Sequence, residues 1–326
     1  MKAKILIVGG AGYVGSHILK VLDALQYSLV TFDSLACGHR EFVKWGKFVE
    51  GNLSDKNCLD ALFKNENFDA VMHLAAYAYV EESVQDPRKY YDNNVLNTLC
   101  LLETMLRHGV KYIIFSSSCT VYGDPHQIPI PEQQSLRPTN PYGWTKVMIE
   151  QILKDYGRAY VLNWISLRYF NAAGADPEAG IGEDHSPETH LIPLILDVAL
   201  GRRDHVKIYG HDYATADRTC VRDFVHVSDI AQAHVLALEK LFADGKNDIF
   251  NLGLNKGYSV NEVVRLCEEV TGKTIKIVQA SRRPGDPPIL IAQSDKAKKD
   301  LSWRPRFNDL KEIIDTAWRW HKQRFS

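Results

Sequence analysis

The sequence predicts an α/β fold built on a doubly wound parallel sheet, and three observations predict it. An apolar run ends in a glycine-rich turn, strand-like and helix-like stretches alternate after it, and residues suited to binding a ligand fall where the strand-like runs stop. The first run, Lys4-Ile5-Leu6-Ile7-Val8, is short and continuous, as expected of a strand buried on both faces of a parallel sheet. Further runs follow at Ser28-Leu29-Val30-Thr31-Phe32, Phe48-Val49-Glu50-Gly51, Ala70-Val71-Met72-His73-Leu74 and Tyr112-Ile113-Ile114-Phe115, with helical stretches between them. In such a sheet ligands gather at the carboxyl ends of the strands, where Gly9, Asp33, Asn52, Ala75 and Ser116 fall.

The turn after the first run is Gly9-Gly10-Ala11-Gly12-Tyr13-Val14-Gly15, ahead of a helix expected to begin near Ser16. Glycines spaced Gly9-x-x-Gly12-x-x-Gly15 permit a tight turn, close approach of backbone to a pyrophosphate, and close packing of helix on strand. The pattern is that of a dinucleotide loop. The second strand ends at Asp33, about 20 residues past the loop, where an acid accepts the two ribose hydroxyls of an adenosine and repels a 2′-phosphate. This favours NAD over NADP, with Arg40 the nearby residue that would argue the other way.

After the fourth run past the loop comes Ser116-Ser117-Ser118-Cys119-Thr120-Val121-Tyr122-Gly123, which offers hydroxyls at a strand end. Pro141-Tyr142-Gly143-Trp144-Thr145-Lys146 then opens a helical run. Proline suits the first turn, where its missing N–H is not needed, so Tyr142 and Lys146 lie one turn apart on one face. A phenol with a pKa of about 10 is a poor base at neutral pH, and a fixed ammonium beside it lowers that value towards the working range. Ser118 could share a proton with the tyrosine or with a substrate alcohol. A solvated helix face would explain the Tyr–Lys pair alone, and turn formation would explain the serines.

At 326 residues the chain suggests one large domain or two closely joined ones, and its 45% hydrophobic and 24% charged content is ordinary for a globular protein. A net charge of −1 carries no basic bias and argues against a nucleic-acid partner. The six cysteines form neither a Cys-x-x-Cys pair nor a compact framework, which suits reduced thiols. No apolar run reaches the ~18 residues of a membrane span, and no cleavage-site pattern precedes the first strand. The expectation is a cytoplasmic protein with no membrane partner.

With these pieces in place the chain resembles the UDP-glucose 4-epimerase (UDP-galactose 4-epimerase) family of extended short-chain dehydrogenases/reductases. The resemblance runs through the glycine loop, Tyr90-Tyr91-Asp92-Asn93-Asn94, Phe115 to Gly123, Pro141 to Lys146, Leu167-Arg168-Tyr169-Phe170-Asn171, Gly201-Arg202-Arg203, Val221 to Val227, Arg282-Arg283-Pro284-Gly285-Asp286 and Trp318-Arg319-Trp320-His321. It implies a Rossmann domain over 1–172, to which the chain returns near 224–251, and a smaller α+β domain over 173–326 that binds a UDP-sugar. It implies that Tyr142 is the base, that Lys146 tunes it and binds the nicotinamide ribose, and that Ser118 bridges Tyr142 to the sugar O4. The family reaction parks the C4 hydride on bound NAD, leaves a 4-keto sugar that turns over in the site, and returns hydride to the other face. No metal is called for.

For the cofactor the resemblance implies contacts from Gly9, Gly12, Tyr13, Val14, Gly15, Asp33, Ser34, Asn52, Leu53, Leu74, Ala75, Ala76, Ala78, Asn93, Ser116, Tyr142, Lys146, Tyr169 and Phe170. For the substrate it implies Ser118, Tyr142, Asn171, Leu191, Tyr209, Arg222, Arg283, Asp286 and Leu290, with Leu191 and Tyr209 around uracil and its ribose, and Arg222 and Arg283 on the diphosphate. It also implies a homodimer formed by helices near Tyr90–Arg107 and Tyr142–Tyr156. Asp223 and His226 sit in an alternating strand pattern and read as structural.

The chain departs from the commonest family pattern at several places. Asn52 stands for an Asp near the adenine, where an amide can still accept a hydrogen bond. Glu81 and Arg218 stand where Gly is usual, Ala78 occupies a position that is Lys in one branch, and Leu290, at the pocket near the sugar's C2 substituent, suggests tolerance of N-acetylated sugars. The main expectation is interconversion of UDP-galactose and UDP-glucose. The rivals are a UDP-arabinose/UDP-xylose 4-epimerase, an enzyme that also accepts UDP-GlcNAc and UDP-GalNAc, a dehydratase, and a non-catalytic NAD-binding protein. A dehydratase of this kind carries Asp-Glu after the active-site hydroxyl, whereas Cys119-Thr120 follow Ser118 here.

Overall fold

The computed structural model describes residues 2–283 and 285–326, so Pro284 of the Arg282–Asp286 motif lies outside the described residues. Contacts along the chain divide it into two compact units. The first comprises Met1–Tyr122, Leu136–Arg168 and Ala231–Phe250; the second comprises Gly123–Ser135, Tyr169–Ile230 and Asn251–Ser326. The chain thus leaves the first unit at Gly123 and returns at Leu136, an excursion that a single cut near residue 172 does not contain.

The first unit carries a seven-stranded sheet of β1 (Lys4–Val8), β2 (Ser28–Asp33), β3 (Lys47–Glu50), β4 (Ala70–His73), β5 (Tyr112–Ser118), β6 (Asn163–Tyr169) and β7 (Asp248–Leu252). Its order is β7-β6-β5-β4-β1-β2-β3. The chain therefore lays strands outward from β1 in one direction, then restarts beside β1 and proceeds in the other, which makes the junction of β1 and β4 the switch point where such sheets open a ligand crevice. β1 pairs in parallel with β2 and β4, β2 with β3, and β4 with β5. The register sets Val8 opposite both Phe32 and His73, and His73 opposite Phe115. Gly9, Asp33, Leu74 and Ser116 are consequently ranged along one edge.

Burial follows the apolar pattern of the strands. Ile5, Leu6 and Ile7 are wholly buried, and Leu6, Val8, Val30, Phe32, Leu101, Phe115 and Leu153 belong to one core cluster. Truncating such a side chain costs about 2–5 kcal/mol through lost burial and the cavity left behind. β5 is longer than its apolar run suggests, because Ser116, Ser117 and Ser118 continue it and are buried. Their hydroxyls are satisfied within the unit: Ser116 Oγ lies 2.8 Å from His234 Nε2, and Ser117 Oγ donates to Glu150 Oε1 at 2.6 Å.

The second unit has short strands and its own core. Phe224–His226 pairs in parallel with Asn171–Ala173, and Val221–Arg222 lies between Tyr258–Ser259 and Ile289–Leu290. Ile195, Val206, Ile208, Phe224, Val263, Leu310 and Ile314 form the core with helices Leu191–Ala199, Val260–Thr271 and Leu310–Phe325. Asp223 is fully buried and accepts backbone N–H groups of Leu254, Asn255 and Ala292, pinning two loops to its strand. His226 stacks on Phe307 with ring centroids 3.8 Å apart. Arg218 has φ +64°, in the left-handed region that favours glycine, and Glu81 lies exposed in the first turn of the helix Val80–Gln85.

Candidate active site

Helix α1 (Tyr13–Ala24) leaves β1 through the glycine turn. Gly9 has φ +88°, and a Cβ there would lie 2.6 Å from the Ala75 nitrogen; at Gly15 it would lie 2.2 Å from the Gly9 carbonyl oxygen. Packing within the protein therefore explains both glycines. At Gly12 a Cβ would meet only the Gly9 oxygen, at an ordinary 3.5 Å, so nothing in the protein excludes a side chain. Gly12 is also the N-cap of α1 and supplies no side-chain cap to the first-turn N–H groups. The turn thus combines open space with uncapped N–H groups, the features that suit an anion.

Asp33, at the end of β2, is anchored to the same loop. Its Oδ2 accepts from the Ala11 N–H at 2.9 Å and its Oδ1 from the Leu35 N–H at 2.9 Å. Burial raises its pKa, opposed by those N–H groups. A cavity lined by Val8, Phe32, Asp33, Ser34, Gly51, Asn52, Leu53, Ala75, Asn93 and Asn97 opens beside it. Asn93 lies in the π-helical stretch Tyr91–Leu96. Asn52 Oδ1 accepts from both the N–H and the hydroxyl of Ser54, at 2.9 Å each. The other arm of the amide, its NH2, is a donor. Arg40 lies over the Phe48 ring at 4.4 Å and donates to the Val43 carbonyl.

Helix α2 (Pro141–Tyr160) starts as its sequence suggests, with Asn140 at the N-cap accepting from the Gly143 N–H at 2.8 Å and Pro141 in the first turn. A Cβ at Gly143 would fall 2.8 Å from the Thr120 carbonyl oxygen. That glycine lets the first turn of α2 lie directly on the backbone after Ser118. Ser118 Oγ accepts from the Thr120 N–H at 3.2 Å and lies 3.0 Å from its hydroxyl. Tyr142 and Ser118 are both buried, and the Tyr142 ring makes an edge contact with Tyr90 at 6.5 Å.

Lys146 is fully enclosed one turn along α2. Its Nζ donates to the Ser116 carbonyl at 2.8 Å and lies 5.7 Å from the centre of the Tyr142 ring. Burial pushes its pKa down to about 7, opposed by the Glu150 carboxylate one turn further on. A lysine whose charge is opposed by burial and a phenol beside it thus meet at one helix face.

Sequence reasoning did not find what holds this face in place. Glu150 accepts from Arg168 Nε at 2.9 Å and from its Nη2 at 2.5 Å as well as from Ser117, while Arg168 Nη1 donates to the Tyr122 hydroxyl at 2.9 Å. Both charged side chains are at most 2% exposed. The pair ties α2 to β5 and β6, and the available signal was Glu150 falling four residues after Lys146 and eight after Tyr142. A second tie runs from Asn94 Nδ2 to the Thr145 hydroxyl at 3.1 Å.

Apart from Ser118 and Tyr142, the residues expected to bind a substrate lie in the second unit. There Arg283 Nε donates to Asp286 Oδ2 at 2.8 Å, Arg222 Nη2 lies 3.7 Å from Asp286 Oδ1, and the Arg283 guanidinium lies 4.9 Å from the centre of the Tyr209 ring. Leu290 is buried and pairs in register with Arg222. These five form one group. Leu191 opens its helix half-buried against the unit's core, and the Asn171 N–H donates to the Asp223 carbonyl.

Known proteins match nearly the full chain. A model of the NAD dependent epimerase/dehydratase family matches residues 5–253. The UDP-glucose 4-epimerase of Halalkalibacterium halodurans is 49% identical over 319 residues, which cover 98% of this chain and 96% of that one. The crystal structure of UDP-glucose 4-epimerase from Brucella ovis in complex with NAD superposes with a TM-score of 0.94 at 46% identity, covering 97% of each chain. That of the Bifidobacterium longum enzyme in complex with NAD+ and UDP gives 0.93 at 36% identity, covering 98% of each. The chain belongs to the NAD dependent epimerase/dehydratase family, in its UDP-glucose 4-epimerase branch.

Proposed function

We propose that the protein is an NAD-dependent 4-epimerase that interconverts UDP-galactose and UDP-glucose through a 4-keto sugar. The observation that carries this reading is the enclosed Tyr142–Lys146 face of α2 at the carboxyl end of β5, in a chain 49% identical to a UDP-glucose 4-epimerase over almost its whole length. NAD, when bound, supplies a reversible store for the C4 hydride. The glycine turn and the start of α1 hold its pyrophosphate, and Asp33 the adenosine ribose. Tyr142 takes the proton from the sugar O4 and later returns it; Lys146 stabilises the tyrosinate; Ser118 shares the hydrogen bond to O4. Glu150 and Arg168 keep Lys146 and Tyr142 in register with Ser118. Arg222 and Arg283 bind the diphosphate once they exchange Asp286 for phosphate oxygens. Cys119-Thr120 after Ser118 lack the acid pair with which a dehydratase expels water.

The enzyme is cytoplasmic and homodimeric in this reading. Leu96, Trp144 and Met148, on the two helical segments expected to pair in a dimer, are 53%, 41% and 40% exposed, and covering such apolar surface favours association. No described helix is long and apolar enough to cross a membrane. The test is kcat/KM for UDP-galactose, UDP-GlcNAc and UDP-arabinose on one purified sample without added cofactor. Dominant turnover of UDP-galactose is expected. Dominant turnover of either other sugar would reassign the substrate, and silence on all three even with NAD added would remove the epimerase reading.

A further inference from the structure

The second unit contains a group of side chains that the epimerase reaction leaves unused. Within eight residues before the helix Leu191–Ala199, Glu183, His185, Glu188 and His190 each bring one donor atom to a common point, all within 4.8 Å of one another. His185 Nδ1 lies 3.3 Å from Glu183 Oε1 and 3.6 Å from Glu188 Oε2, and His190 Nδ1 lies 3.6 Å from Glu188 Oε1. His190 Nδ1 also forms a hydrogen bond with Glu183 Oε1. We propose that these four residues form a binding site for a divalent transition-metal ion of the zinc type, which clasps the loop ahead of Leu191.

Geometry supports the assignment. Ligands about 2.0–2.2 Å from a tetrahedral ion stand about 3.4 Å from one another, and the His185–Glu183 separation and those from the two histidines to the two oxygens of Glu188 are within a few tenths of that value. Only the Glu183–His190 contact must widen. The side chains are also held ready: Glu188 Oε1 accepts from the Thr189 and His190 N–H groups at 2.7 and 2.8 Å, which aims its carboxylate, and the two imidazoles stand edge to face with centroids 5.4 Å apart. Glu183 is 7% exposed and His190 47%, so the site has a closed floor and one open side through which an ion can enter.

Charge is compatible with an ion. The two carboxylates, which have little access to water, face the two imidazoles, and neither glutamate pairs with a lysine or arginine among the described residues. A dication that displaces the imidazole protons takes over the balancing of both carboxylates. Two imidazoles beside two carboxylates suit zinc better than calcium or magnesium, which take oxygen ligands.

The experiment is calorimetric titration of the purified holoenzyme with Zn2+, and separately with Ca2+ and Mg2+, at about pH 8, where ligand protons compete least. It is accompanied by a melting scan with and without one equivalent of zinc. One zinc per chain, weakened about tenfold or more in His190→Asn and in Glu188→Gln, with a higher melting temperature for wild type only, is the expected result. His190→Asn alters an exposed side chain, so it keeps the test decisive if Glu188→Gln fails to fold. No zinc binding by wild type would overturn the assignment. So would zinc bound equally well by both variants, which would place it on the cysteines or other histidines.

Discussion

Two arginine–carboxylate groups in this molecule are built in opposite ways. In the first unit Arg168 and Glu150 are sealed from water, joined by two hydrogen bonds and completed by Ser117 and Tyr122. In the second, Arg283 is 45% exposed, and it shares Asp286 with Arg222 across a longer separation. A sealed, fully satisfied pair cannot exchange partners without leaving a charge uncompensated in a low-dielectric interior. A group with one half-exposed arginine loses less when a phosphate takes the carboxylate's place. In the function proposed above, the first arrangement would fix the geometry of proton transfer and the second would keep cations available for a ligand that comes and goes.

Substitutions can break that contrast in descending order of effect. Tyr142→Phe should keep the fold and the nucleotide while lowering kcat by about 10²–10⁴-fold, the usual contribution of a positioned acid–base group; near-normal turnover would show that another group is the base. Glu150→Gln leaves the Arg168 charge buried and unpaired, at a cost of about 3–5 kcal/mol in urea unfolding. Arg283→Ala should raise KM about 10–100-fold with the melting temperature unchanged, because it removes a charged hydrogen-bonding group from the exposed set. A loss of stability there as large as that of Glu150→Gln would erase the distinction between the two groups.

The last effect is one of pH. The folded Lys146 titrates at about 7 and the unfolded one near 10.5, so between these values the unfolded chain binds more protons and this lysine makes stability rise with pH. Lys146→Met removes that contribution. The urea midpoint of wild type should therefore climb relative to the variant between about pH 7 and about pH 10. Parallel curves would mean that the ammonium keeps an ordinary pKa despite its burial.

Local pattern carried much of this structure. The run Lys4–Val8 with its glycine turn identifies β1 and the start of α1, and the four-residue step from Tyr142 to Lys146 puts the ammonium on the tyrosine's face, 5.7 Å from its ring. What stayed hidden depends on contacts between distant stretches. Glu150 and Arg168 look like any helix glutamate and strand arginine until β6 is laid beside β5. The serines after Phe115 read as lying at a strand end, with a turn as the alternative, yet His234, more than a hundred residues away, and Glu150 allow two of them to continue the strand. The direction of the Asn52 amide is set by Ser54, and spacing alone does not reveal it.

The central claim is that the hydrogen removed from C4 stays inside the protein and returns to the same carbon while Tyr142 handles only the hydroxyl proton. Incubating the purified protein with UDP-galactose deuterated at C4, in ordinary water and without added cofactor, tests it directly. The account predicts UDP-glucose that retains deuterium at C4. UDP-glucose carrying solvent hydrogen at that carbon would contradict it.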